Sequence, residues 1–115
     1  MVQIEGKEVV FKNGKHVAFD FLVKKTIEID DIVIILITQD DNKVIYNENV
    51  FGYNIHGEFL WRVAKRNVFL GRGDDCPFTD IMQNKENELM LHNWCDFGYI
   101  VVPKTGEILR VYEHR

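Results

Sequence analysis

Serine is absent from the sequence, and this absence excludes hydrolases that depend on a Ser-His-Asp triad. The 115 residues include two prolines, so nearly every backbone amide is free to join a β-ladder. Alanine and leucine, which favour helices, together number nine. The longest apolar run, 32–37, has six residues, whereas a membrane-spanning helix needs roughly 20. We therefore expect neither a helical domain nor a membrane partner.

The residues that are abundant favour β-structure. The chain has 13 valines, 12 isoleucines, four threonines and 14 aromatic residues. Side chains that branch at Cβ or carry a ring fit a pleated, half-buried surface and lose rotamer freedom on a helix. The length suits one domain, so we predict a single all-β domain over residues 1–115.

Charge and targeting signals narrow the choice of partners. The net charge is −4, and the lysines and arginines are scattered along the chain. Because nucleic-acid surfaces are basic and clustered, we expect no nucleic-acid partner. The first residues, MVQIEGKEVVF, lack the layout of a signal peptide, which favours a cytoplasmic location. Gly71 and Gly73 have no phosphate-loop or dinucleotide context, and no cofactor is predicted.

Turn signals divide the chain into short segments. Asn13-Gly14 is typical of a two-residue hairpin turn. Further turn signals stand at Asp30-Asp31, 40–42, His56-Gly57, 84–87, 95–98 and 104–106. Short strands joined by short loops are typical of an antiparallel meander. We predict about eight to ten strands that close as a small barrel or form a two-sheet sandwich.

Two segments allow sharper structural predictions. Residues 32–37 are apolar at every position, which indicates a central strand that is covered on both faces. Residues 79–91 lack the apolar spacing of a helix, so we predict a hairpin with its turn at 84–87.

Two segments of the chain resemble each other. Residues 49–63 and 97–113 each contain an alternating strand, a turn that ends in Gly-Glu, and a second strand. Gly57 and Gly106 lie 49 residues apart, a period typical of propeller blades and related β arrays. The alternative interpretation is that strand–glycine–strand patterns of this kind recur in any antiparallel protein.

The second copy contains Lys104-Thr105-Gly106-Glu107-Ile108-Leu109, which resembles the blade repeat of pyrroloquinoline-quinone-type β-propellers. Trp61 resembles the tryptophan of that repeat, whereas Arg110 departs from it at the matching position. The two hairpins, with Asn93-Trp94 before the second, are also similar to small uncharacterised bacterial proteins. The resemblance implies blade-like hairpins in a meander. It implies no quinone site, because a ring needs about four to eight blades and this chain is too short.

The cysteines and aspartates offer three chemical hypotheses. Cys76 and Cys95 are expected to be reduced thiols, because no secretion signal is visible. With His92 they form a candidate zinc site, although residues three apart on a strand face opposite sides. A Cys-His catalytic pair with His92 or His56 as the base is a further candidate. A candidate cation site comprises Asp74, Asp75 and Asp80, which lack the spacing of a calcium loop. We therefore predict no bound metal and no catalytic residue.

Surface recognition is the leading functional hypothesis. The irregular stretch 70–77 contributes the candidate binding residues Arg72, Asp74 and Asp75, because loops on a β scaffold often carry function. A second group, His92, Trp94 and Asp96, surrounds an aromatic side chain of the kind enriched at binding hot spots. We predict a non-enzymatic interaction domain that binds a basic protein partner, as small immunity proteins bind toxins. The alternatives are a ligand-binding or enzymatic barrel lined by His92, Trp94 and Tyr99, and an oligomeric building block.

Overall fold

The computed structural model describes residues 2–38, 48–63 and 76–113. Within these ranges all regular structure is β, arranged as eleven strands in three sheets. The strands are β1 (Gln3–Glu5), β2 (Glu8–Val10), β3 (His16–Ala18), β4 (Val23–Ile29), β5 (Ile32–Ile37), β6 (Val50–Asn54), β7 (Phe59–Arg62), β8 (Phe78–Gln83), β9 (Leu89–Asn93), β10 (Phe97–Val101) and β11 (Ile108–Glu113).

Each sheet is an antiparallel meander of strands that follow one another along the chain. The first sheet contains β1 to β3, the central sheet β4 to β7, and the third sheet β8 to β11. The predicted all-β antiparallel class is confirmed. The described strands number eleven, slightly more than the sequence indicated, because the N-terminal residues form a small sheet of their own.

The central sheet is covered on both sides, and β5 shows why. All six of its residues are buried. Ile32, Ile34 and Leu36 join an apolar cluster with the third sheet, whereas the alternate residues Val33, Ile35 and Ile37 join a second cluster with the first sheet. Successive side chains on a strand point to opposite faces, so a strand that is apolar throughout needs a layer on each side. The predicted central strand is confirmed.

The predicted closure into a barrel is wrong. The three sheets stay open in the part of the chain that the structure describes, and they stack face to face. The physical reason lies in β5: a barrel strand buries one face in the interior, but β5 carries two apolar faces. Face-to-face packing agrees with the sandwich alternative, except that three sheets are stacked instead of two.

The turn chemistry is repeated in three hairpins. Asn54, Asn84 and Asn93 each accept hydrogen bonds through Oδ1 from the backbone N–H groups two and four residues later. The residue three positions after each asparagine has a positive φ; these residues are Gly57, Asn87 and Asp96. Such three-residue loops join adjacent antiparallel strands. The turn at Asn84 confirms the hairpin predicted over 79–91.

Two side chains fix the third sheet to the central sheet. The Trp61 indole donates a hydrogen bond to the Pro103 carbonyl (2.6 Å), and it occupies the space that a Cβ atom at Gly52 or Gly106 would need. Buried Asn49 accepts a hydrogen bond from the Phe78 N–H (2.9 Å) and donates to the Phe78 carbonyl (2.8 Å). The Asn49 contacts set the start of β8 against the beginning of β6, close to the site described next.

Candidate functional site

The turn between β9 and β10 brings together one of the two predicted groups of binding residues. We call residues His92–Phe97 the Trp94 turn. His92 is the residue before the last of β9, and Trp94 and Asp96 lie within the turn itself. Phe78 pairs with Asn93, so the start of β8 lies beside this turn.

Asn93 fixes the shape of the Trp94 turn. Its side chain is completely buried. Oδ1 accepts hydrogen bonds from the N–H groups of Cys95 (3.1 Å) and Phe97 (2.9 Å), and Nδ2 donates to the Tyr99 hydroxyl (3.2 Å). Asp96 takes the left-handed conformation (φ 67°), which aspartate tolerates better than most residues. The turn therefore has its hydrogen bonds satisfied from within the protein.

Two further contacts tie the Trp94 turn to the residues before β8. The Trp94 N–H donates to the Pro77 carbonyl (2.9 Å). Cys76 and Cys95 form a disulfide, with their Cα atoms 5.5 Å apart. The prediction of two reduced thiols is therefore wrong, because the pairing of β8 with β9 places the two cysteines side by side. With both sulfurs in the bond, neither cysteine offers a thiolate to the candidate zinc site or to the candidate Cys-His pair.

Trp94 is the exposed part of this site. Its side chain is 60% exposed, whereas Trp61 in the core is 6% exposed. A large aromatic surface therefore stands on a backbone that a buried amide, a disulfide and a main-chain hydrogen bond hold in place. This arrangement suits molecular contact, since a fixed aromatic group loses little conformational entropy on binding.

The remaining predicted residues have different surroundings. His92 is half-buried, and its Nδ1 lies 3.4 Å from the Thr79 hydroxyl. Tyr99 is buried in the cluster between the central and third sheets, so it does not line a lumen with His92 and Trp94. Asp80, a member of the candidate cation site, forms an ion pair with Lys25 (2.9 Å). The described residues contain no group of three or more side chains suited to hold a metal ion.

Similarity to known sequences settles the family. Residues 1–112 match the family model described as Domain of unknown function (DUF7957). The chain belongs to the DUF7957 family. No curated protein and no solved structure matches this DUF7957 chain. The family match and the three open sheets overturn the resemblance to quinoprotein propeller blades: the two similar segments are the β6–β7 and β10–β11 hairpins of a different architecture.

The predicted binding residues Arg72, Asp74 and Asp75 lie outside the described residues of the DUF7957 chain.

The residue that sequence analysis missed is Asn93, which stands beside Trp94 but was assigned no role. A repeated pattern could have indicated the role of Asn93: in three separate turns, an asparagine stands three positions before a residue with a positive φ. Over residues 2–38, 48–63 and 76–113, no helix of the domain is long and apolar enough to cross a membrane.

Proposed function

We propose that this DUF7957 chain is a non-enzymatic domain that binds a protein partner through the Trp94 turn. The observation that supports the proposal is the 60% exposed Trp94 side chain on a backbone held from three directions. Tryptophan is enriched at binding hot spots because it combines a large apolar area with an N–H donor. The cysteine chemistry also favours binding over catalysis, since Cys76 and Cys95 are bonded to each other and neither offers a thiolate nucleophile.

A basic partner fits this proposal best. The chain carries a net charge of −4, and exposed Asp96 lies two residues from Trp94. An acidic surface around an aromatic anchor attracts a positively charged protein and accelerates association. A partner of this kind is what an immunity-like role would require.

The disulfide is relevant to the cellular compartment in which the partner is bound. Disulfides persist in oxidising compartments and are rare in the reducing cytosol. The cytoplasmic location predicted from the sequence remains a prediction, and the Cys76–Cys95 bond favours an oxidising environment instead.

Native mass spectrometry of complexes captured from the host tests the proposal. The bait is the oxidised chain as wild type, as Trp94→Ala, and as the matched control Phe59→Ala. Phe59 is 57% exposed and lies on β7 of the central sheet, so the control removes a similar aromatic surface elsewhere. We expect a heteromeric mass with the wild type and with Phe59→Ala, and a loss of that mass with Trp94→Ala.

Two outcomes would contradict the proposal. Equal loss in both variants would indicate non-specific apolar adhesion, and an unchanged complex with Trp94→Ala would place the contact elsewhere. Circular dichroism of each variant confirms that the bait is folded.

An oligomeric building block is the second candidate function. Strand β11 forms an edge of the third sheet, and its residues Leu109 and Val111 are 55% and 43% exposed. An apolar edge strand of six residues is a template for pairing with another chain.

A further inference from the structure

A cleft of about 460 Å³ lies at the opposite end of the central sheet from the Trp94 turn. Strand β4 runs from one end of the central sheet to the other. Near its start, Lys24 contacts Thr79 of β8, on the side of the Trp94 turn. Its far end leads into the Asp30-Asp31 turn, on the side of the cleft. Three hairpin turns meet at that second end, and a hydrogen bond from Asn13 Nδ2 to the His56 carbonyl (3.0 Å) joins two of them. Side chains from all three turns line the cleft.

The cleft is bordered by charges of both signs that do not neutralise each other. Lys12 lies on one side, and Glu28 and Asp31 lie on another. Among the described residues, none of these three side chains makes a hydrogen bond or an ion pair, so the ammonium is more than 4.0 Å from either carboxylate.

Two other places on the surface hold opposite charges in direct contact. The pairs Lys25–Asp80 and Arg110–Glu88 have N···O distances of 2.9 and 2.8 Å. The cleft differs from these two places because its ammonium and its carboxylates border the same open space without contacting each other.

Asp31 places its carboxylate at a backbone position that glycine would occupy with less strain. Asp30 (φ 52°) and Asp31 (φ 65°) form a two-residue turn with both residues in the left-handed region. Asn-Gly or Asp-Gly is the preferred pair for such a turn, because glycine adopts a positive φ without a steric penalty. A second aspartate at the glycine position costs stability and adds a carboxylate to the wall of the cleft.

We infer that this cleft binds a small zwitterion with an apolar side chain, the chemistry of a free aliphatic α-amino acid or a short peptide of such residues. A simple cation would be repelled by Lys12, and a simple anion by Glu28 and Asp31, whereas a zwitterion satisfies both signs. Val33 and Ile55 supply apolar contact area between the charged walls. The volume lies at the small end of the range for ligand pockets, which favours a small molecule.

Amide chemical shifts measured with L-leucine as the probe test the inference. We expect saturable shifts at Lys12, Asp31 and His56. L-leucinamide lacks the carboxylate and N-acetyl-L-leucine lacks the ammonium, so each should bind about tenfold more weakly than leucine. The dipeptide Leu-Leu separates its charges further and distinguishes an amino-acid site from a peptide site. No saturable shift with leucine or Leu-Leu at tens of millimolar, or equal binding of leucine and its two blocked forms, overturns the inference.

The turns offer matched variants for the same measurement. Asp31→Asn should weaken binding of the probe about tenfold, whereas Asp30→Asn, in the same turn but outside the cleft lining, should leave it unchanged. Asparagine tolerates a positive φ as well as aspartate does, so both variants should fold.

Lys12→Gln and its neighbour Lys15→Gln form a second matched pair, since only Lys12 lines the cleft. Lys12→Gln should weaken leucine binding but should not weaken leucinamide binding, which it should strengthen because the repelling ammonium is gone; general damage to the turn would weaken both. Equal effects within each pair would overturn the inference, and Trp94→Ala should leave the shifts unchanged because the two sites lie at opposite ends of the sheet.

Discussion

At the residue scale, burial decides how much an asparagine cap contributes to stability. Asn93 and Asn54 hold their turns with the same pair of main-chain hydrogen bonds, but Asn93 is completely buried and Asn54 is not. If Asn54 is replaced, water can accept the hydrogen bonds that its side chain accepted. If Asn93 is replaced, the N–H groups that lose their acceptor remain buried, where water does not reach them. A buried donor without a partner costs its full desolvation penalty.

We therefore predict that Asn93→Ala lowers the free energy of unfolding by about 2–3 kcal/mol, and that Asn54→Ala lowers it by about 1 kcal/mol. Urea denaturation followed by tryptophan fluorescence measures both values. Similar losses in the two variants would show that burial of the amide is not the deciding factor.

Glu88 provides a pH-dependent contribution at the same scale. The Asn84 side-chain amide donates a hydrogen bond to Glu88 Oε1 (3.0 Å), and this bond lowers the pKa of the Glu88 carboxyl group. The guanidinium of Arg110, with Nη2 2.8 Å from the same oxygen, lowers it further by a smaller amount. A carboxyl group whose pKa is lower in the folded state stabilises the fold above its unfolded pKa, and the stabilisation disappears as the pH falls through its folded pKa.

We expect Glu88→Gln to be less stable than the wild type at neutral pH, with the difference vanishing in acid. Thermal melts between neutral pH and the acid range check this. Glu86→Gln in the same turn is the control, because the Glu86 carboxylate has no partner among the described side chains, and its curve should parallel the wild type at every pH. A difference for Glu88→Gln that persists in acid would contradict the assignment.

At the element scale, the disulfide joins two segments that the sheet already holds together. Cys76 and Cys95 are 19 residues apart in sequence, and Trp94 lies beside the bond. Closing a loop of that length restricts the unfolded chain and stabilises the fold by about 3 kcal/mol.

Reduction of the disulfide should therefore lower the urea midpoint of the wild type by an amount that corresponds to about 3 kcal/mol. The Cys76→Ala/Cys95→Ala double variant should match the reduced wild type and should not respond to reductant. Intact-mass measurement after alkylation confirms the oxidation state of each sample. Identical midpoints with and without reductant would show that the bond contributes nothing to stability.

Local features of these elements could be predicted from the sequence, and contacts between the sheets could not. The apolar run at 32–37 and the turn signal at 84–87 depend on a few neighbouring residues, and each was found as predicted. A hairpin turn also lies at Asn13-Gly14, but its loop has three residues, 12–14, instead of the predicted two, because the Phe11 N–H donates to the Lys15 carbonyl. The Asn49 bridge to Phe78 depends on how two sheets pack. The Cys76–Cys95 bond lies within the third sheet and depends on the register in which β8 pairs with β9. The exposed Trp94 was identified as a site residue by its type, but its support by Asn93 depends on burial, which the sequence alone does not reveal.

At the scale of the whole molecule, three open sheets leave strand edges exposed. Strand β11 is the apolar case: Leu109 and Val111 are exposed, and Arg110, the positive charge near its centre, is occupied by an ion pair with Glu88. Free charges on an edge strand oppose pairing with another chain, and an edge whose charge is already paired loses part of that protection. Self-association, if the second candidate function is correct, should therefore involve β11.

Sedimentation velocity over a range of concentrations tests this. We expect reversible dimers of the wild type, and Leu109→Lys should raise the dimer dissociation constant by about tenfold or more, because the new charge lies where the two edges would meet. Phe59→Lys, which places the same charge on the exposed edge of the central sheet, should leave the equilibrium unchanged. A wild type that stays monomeric at every concentration removes the building-block candidate and leaves the Trp94 turn as the proposed contact surface, because the partner proposed for that turn is a different protein and not a second copy of this chain.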